Sequence, residues 1–158
     1  MTAELLGNHL DKMGHEVTAM YMNSVGKSPV LSLLFDSYAR LLDKQGVTSK
    51  FYWEKLFDSH VVWTQTKNKE ILSAIVYEIK KETNIGILLT AFTDPDYYGR
   101  GLNRICLKHY LDKLKKDGVA RTLGIVSLQN FDALNTEDPK KISFTGVTPT
   151  AVVLTCRV

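Results

Sequence analysis

Apolar positions near the N-terminus recur at helical steps. Leu6, Leu10, Met13, Val17 and Met20 are separated by alternating intervals of four and three, which predicts an amphipathic helix from Ala3 to Met22. Its apolar face would pack on the body of the domain or, since the same spacing suits helix pairing, on a second copy of the chain. Ser28-Pro29 reads as a helix start, with Val30, Leu33, Leu34, Tyr38, Leu41 and Leu42 as the stripe and Gly46 as the stop. A shorter segment, Lys50 to Asp58, carries Phe51, Tyr52, Trp53 and Phe57, an aromatic density typical of a core.

From His60 the period changes to two. His60–Thr66 is β-rich, Lys67-Asn68-Lys69 is a polar turn, Ile71–Ile79 alternates, Lys81–Asn84 turns again and Ile85–Thr93 follows, so three antiparallel strands in a meander are predicted. Past a proline turn and Gly99-Arg100-Gly101, the helical period returns. Leu102, Cys106, Leu107, Tyr110, Leu111 and Leu114 share one face and Arg104, Lys108, Asp112 and Lys115 the other, with Gly118 closing the helix. Ala120–Leu128 then reads as a buried strand, parallel to Ile85–Thr93 through a right-handed crossover. Ile142–Phe144 and Thr150–Val158 are closing strands around a Gly146–Pro149 turn.

These elements form an α/β (α+β) domain over residues 1–158, with residues 1–27 an additional amphipathic helix. The chain is long enough to bury a core without metal or disulfides. Its 44% hydrophobic and 23% charged residues are ordinary for a globular protein. Cys106 and Cys156 are far from any C-x-x-C spacing, so neither a metal nor a disulfide framework is expected. A formal charge of +3, with lysines spread along the chain, gives no footprint for nucleic acid. No membrane span or leader is expected either, and the cytoplasm is the default compartment.

The chemistry concentrates where the strand Ile85–Thr93 turns into the helix. Amide groups at a helix start lack intrahelical acceptors and sit at the positive end of the dipole, so the turn Tyr98-Gly99-Arg100-Gly101 suits a phosphate. Glycines permit close backbone approach, and Arg100 adds a fixed charge.

Thr93-Asp94-Pro95, followed by Tyr98-Gly99-Arg100-Gly101-Leu102-Asn103 and Leu107, resembles the acetyl-CoA motif of the GNAT superfamily of N-acetyltransferases. Pro95, Gly99, Gly101 and Leu107 match; Tyr98 stands where the motif has Gln or Arg, and Asn103 where it has Gly or Ala. The resemblance covers roughly residues 61–130. It implies a mixed sheet whose two parallel strands splay around the pantetheine arm. It further implies that Phe92, Thr93, Tyr98, Gly99, Arg100, Gly101, Leu102, Asn103 and Asn130 bind acetyl-CoA as co-substrate. Asn130 and Ala133 fit the family's later N-x-x-A feature, while Asn130 also suits a plain helix cap.

The resemblance implies transfer of an acetyl group to an amine acceptor. The tyrosine with which the family protonates the departing thiolate would fall near Glu137, so no general acid is assigned; Glu78 and Ser127 are the nearest polar groups by strand position. That gap leaves a second reading open, a catalytically silent GNAT-like domain serving as a structural or binding component of a larger assembly, such as a virus particle. The partners expected are acetyl-CoA and an amine acceptor, with a homo-oligomer through the N-terminal helix as a further option.

Overall fold

The computed structural model describes residues 3–23, 59–127, 142–147 and 151–157. The predicted helix from Ser28, the aromatic segment 50–58, and Asn130, Ala133 and Glu137 lie outside these residues. Eight strands appear in chain order as β1 (Glu4–Leu10), β2 (Glu16–Met22), β3 (His60–Gln65), β4 (Ile71–Lys80), β5 (Ile85–Thr93), β6 (Arg121–Ser127), β7 (Ile142–Val147) and β8 (Ala151–Arg157). A 15-residue helix, α1 (Leu102–Lys116), separates β5 from β6. The strands hydrogen-bond in the order β1-β2-β3-β4-β5-β6-β8-β7. The meander β3–β5, α1, β6 and β8 stand where the sequence predicts them, within two residues at the ends, whereas β7 runs three residues past the predicted end at Phe144, through Gly146 to Val147.

The N-terminal helix does not form. Residues 4–22 are a β-hairpin, with Glu4↔Tyr21 through Leu10↔Glu16 in antiparallel register and a bulge between Leu5 and Gly7. The turn explains the difference. Asp11 and Gly14 occupy the first and last positions of a tight turn in which Gly14 N–H donates to the Asp11 carbonyl at 3.0 Å, and Gly14 takes φ +80°. Asp11 Oδ1 also accepts from Met13 N–H at 2.8 Å and His15 N–H at 2.9 Å. An Asp-x-x-Gly turn with a left-handed glycine is a hairpin device, and it reverses the chain in the middle of the proposed helix. Burial then follows period two: Val17, Ala19 and Tyr21 of β2 are buried, whereas Leu10 is 66% and Met13 62% exposed. The helix-pairing dimer loses its basis with the helix.

By its contacts the chain falls into two compact units, residues 1–77 with 90–110, and residues 78–89 with 111–158. In the first, β1 to β4 form an antiparallel ladder. Val61, Val62, Trp63 and Thr64 of β3 are all buried in succession, the mark of a strand covered on both faces. The N-terminal part of α1 lies on this ladder through Leu102, Cys106 and Tyr110, one residue per turn. Leu102 clusters with Val17 of β2 and Leu72 of β4. Cys106 Sγ meets Ser73 Oγ at 3.1 Å, and the Tyr110 ring sits 4.6 Å from that of Tyr77. His9 of β1 reaches the same helix, its Nε2 2.7 Å from His109 Nε2.

Burial pushes the Cys106 thiol up to about 12, against the opposing hydrogen bonds of Ser73 and Thr64. A neutral, enclosed thiol is inert. In a Cys156→Ser background the folded protein is expected to resist a thiol reagent at pH 8 and to react fully once denaturant unfolds it. Labelling of the native protein within minutes would show that α1 does not lie closed on the ladder.

In the second unit, β5 and β6 pair in parallel at Ile85↔Arg121, Gly86↔Thr122 and Ile87↔Leu123. Leu88 and Leu89 continue β5, and residues 124–127 continue β6, without further pairs between them among the described residues. β6 instead keeps its antiparallel ladder with β8 through Ser127↔Ala151. Backbone pairing between β5 and β6 thus ends at Ile87↔Leu123, while a Cβ on Gly124 would still lie 3.9 Å from Leu88 Cβ. Asn84, at φ 55° in the β4–β5 turn, donates from Nδ2 to the Gly118 carbonyl at 2.8 Å, which ties the turn to the end of α1.

Candidate cofactor site at the glycine turn

The site is built from local sequence. Asp94 N–H donates to the Leu72 carbonyl at 2.8 Å, and the buried Asp94 side chain caps a single 3-10 turn, Pro95–Tyr97, by accepting from Asp96 N–H at 3.0 Å. Pro95 occupies the first position of that turn, where its missing N–H costs nothing. Gly99 and Gly101 then take φ +79° and +76°, a region that L side chains avoid, and α1 starts at Leu102. Two left-handed residues bracketing Arg100 bend the chain sharply between the 3-10 turn and the helix.

Of the residues implied by the resemblance, Phe92 is buried at the end of β5, Thr93 and Asn103 are half-buried, and Tyr98 is 47% exposed. The Leu102 side chain is 1% exposed and belongs to the core, so only its backbone N–H can serve a ligand. These residues and both glycines lie in the first unit; Asn130 lies outside the described residues. Glu78 pairs with Lys80 Nζ at 3.6 Å, both side chains being partly exposed, which leaves it a surface role.

Sequence reasoning missed the partners of Arg100. Its guanidinium lies 4.9 Å from the centre of the Tyr97 ring, a cation–π distance, with Nη1 3.3 Å from His15 Nδ1 and 3.9 Å from Asp11 Oδ2. Lys12 N–H donates to the Arg100 carbonyl at 3.0 Å, and the Lys12 stem covers Gly101. The hairpin turn is therefore seated on the glycine turn. The only sequence signal for it was Asp-x-x-Gly at Asp11 to Gly14. Beside this junction opens a pocket of about 480 Å³ lined by Val17 and Leu72 and by Asp11, His15, Tyr97 and Arg100 among others.

The chain belongs to the acetyltransferase (GNAT) family, whose model matches residues 29–136. Solved structures share the fold at low identity. The GNAT domain of S. lividans PAT superposes with a TM-score of 0.77 at 11% identity, over 96% of each chain. The PaiA N-acetyltransferase of Thermoplasma acidophilum, determined in complex with coenzyme A, gives 0.68 at 13% identity over the whole of both chains. The ribosomal-protein-S18-alanine N-acetyltransferase of Escherichia coli gives 0.65 at 16% identity, over 89% of this chain and 94% of that one. Comparison with curated protein sequences finds no match.

Proposed function

We propose that this protein is an acetyl-CoA-dependent N-acetyltransferase acting on an amine in the cytoplasm. The observation that carries the reading is the pair of left-handed glycines, Gly99 and Gly101, set between β5 and the first turn of α1 in a GNAT-family chain. In this reading the amides of the first helical turn receive the pyrophosphate. The pantetheine arm leaves the glycine turn along the end of β5, past Thr93 and Phe92. Coenzyme A bound to the Thermoplasma relative supports the ligand class. In the reaction the neutral amine nitrogen attacks the thioester carbonyl, a C–N bond forms, the C–S bond breaks, the nitrogen gives up a proton and the departing thiolate takes one up. Positioning of the two reactants supplies a large part of the rate. Among the described residues no side chain is assigned as the proton donor.

Thermal unfolding tests the ligand. Acetyl-CoA at a hundredfold excess over its dissociation constant is expected to add roughly 2.7 kcal/mol and raise the midpoint by about 5–10 °C. A panel of small amines, peptide N-termini and lysine peptides, read by release of free thiol, then tests the reaction. A thermal shift without thiol release from any acceptor would favour the catalytically silent, binding role. No shift at millimolar acetyl-CoA would overturn the proposal.

A further inference from the structure

We propose that the turn of the N-terminal hairpin is part of the coenzyme A site, with Lys12 supplying the cation for the pyrophosphate and Arg100 acting as a positioning residue. The inference rests on the acetyl-CoA reading of the glycine turn. Three observations support it, all within the first unit.

The first is the commitment of Arg100. By sequence it is the charge nearest the phosphates. In the structure its guanidinium is held by Tyr97, His15 and Asp11, and only 22% of the side chain is exposed. Asp11 is itself buried, so much of the arginine charge is answered before any ligand arrives. Arg100 fixes the shape of the turn more than it presents charge.

The second is the course of Lys12. A Cβ placed on Gly101 would lie 3.4 Å from Lys12 Cε, 3.5 Å from Cγ and 3.8 Å from Cδ. The methylene stem thus lies along Gly101, the residue before α1, and the ammonium is one bond beyond Cε. A main-chain bond from Lys12 N–H to the Arg100 carbonyl anchors the base of the side chain. Lys12 is exposed, so its ammonium keeps contact with solvent. No residue from another element has to be recruited to bring it there.

The third is charge balance. The first turn of α1, Leu102-Asn103-Arg104, has no acidic residue, although the positive end of a helix dipole ordinarily attracts one. Lys12 and Arg104 add two cations to that end instead. An anion seated between the hairpin turn and the helix relieves this repulsion, and the pyrophosphate is the anion the proposed function places there.

Lys12→Met tests the assignment, because methionine keeps an apolar stem over Gly101 and removes only the charge. Coenzyme A and dephospho-coenzyme A are titrated calorimetrically against wild type, Lys12→Met and Arg100→Gln in about 20 mM and about 500 mM salt. For Lys12→Met we expect a loss of about fivefold to tenfold for both ligands at low salt, shrinking to under about twofold at high salt as screening removes the difference. Arg100→Gln is expected to weaken binding by a similar factor at both salt concentrations, the signature of a shape effect. Lys12→Met binding as tightly as wild type at low salt would overturn the proposal while leaving the acetyl-CoA reading in place. A loss seen with coenzyme A and absent with dephospho-coenzyme A would overturn the pyrophosphate assignment, placing Lys12 at the 3′-phosphate. Wild type failing to bind either ligand would overturn both readings together.

Discussion

Gly101→Glu is expected to weaken coenzyme A binding by at least about a hundredfold while the protein remains folded. Three effects act in the same direction. A non-glycine residue at φ +76° pays roughly 1–3 kcal/mol of backbone strain. The new side chain leaves the backbone against the Lys12 stem, its Cβ at contact distance and its outer atoms competing with the stem for space. The carboxylate then stands at the helix N-terminus, repels the pyrophosphate and offers Lys12 an internal partner. One unit charge at about 4 Å in a partly screened site is worth on the order of 4 kcal/mol, more than the roughly 2.7 kcal/mol that corresponds to a hundredfold. Two controls separate the terms. Gly99→Ala, at φ +79° with open space where its methyl would go, carries strain alone and is expected to cost stability but under about tenfold in affinity. Gly101→Ala adds contact with Lys12 and falls between the two. Calorimetric titration of the three variants reads the order directly. Affinity of Gly101→Glu within about tenfold of wild type would mean that the phosphates lie elsewhere.

The parts of the molecule that were legible in the sequence are those specified by near neighbours. β3 to β5 declare themselves by period-two runs separated by polar turns, and Lys69 and Asn84 take the positive φ that such turns require. The helix α1 was legible because Leu102, Cys106, Tyr110 and Leu114 repeat every four residues and all four are buried. The glycine turn was legible for the same local reason. The N-terminal hairpin was not, because Leu6, Leu10, Met13, Val17 and Met20 imitate a helical face by coincidence of spacing. Of these only Val17 is buried. Two signals compete in that stretch, a weak periodicity and a turn fixed by hydrogen bonds of the Asp11 carboxylate, and the turn wins because it satisfies specific donors. The contacts of Arg100 were illegible for a different reason. His15 and Asp11 stand 85 and 89 positions earlier, and only the seating of the β1–β2 turn on the glycine turn brings them together. The core thiol was legible as a core residue, yet its hydrogen bond to Ser73, 33 positions away, again depends on how the helix meets the ladder.

Asp11→Ala is expected to destabilise the protein by about 2–4 kcal/mol and to lower coenzyme A affinity as well. The carboxylate is buried, accepts from Met13 N–H and His15 N–H, and faces the Arg100 guanidinium and the His15 ring. Alanine leaves two turn amides without their acceptor and a partly buried cation without its counter-charge, the costly way to break such a group. Asp11→Asn keeps one acceptor and loses the charge, so a cost nearer 1–2 kcal/mol is expected. The pH dependence identifies the electrostatic part. Burial works to raise the Asp11 pKa, but the amides of His15 and Met13 and the charges of His15 and Arg100 outweigh it, and the carboxyl is held below its ordinary value of 3.8. A folded-state pKa below the unfolded one means that the ionised group stabilises the fold fully above the unfolded value. That contribution disappears as pH falls through the folded value. The stability gap between wild type and Asp11→Asn should therefore be fully developed above about pH 5 and close progressively below about pH 4, as urea midpoints across the acid range would show. A gap unchanged down to about pH 2 would mean that Asp11 acts by shape alone. The loss of affinity in Asp11→Ala follows from the same contacts: once Arg100 is released, the residue between Gly99 and Gly101 no longer has a fixed direction, and the backbone proposed to receive the phosphates is free to relax.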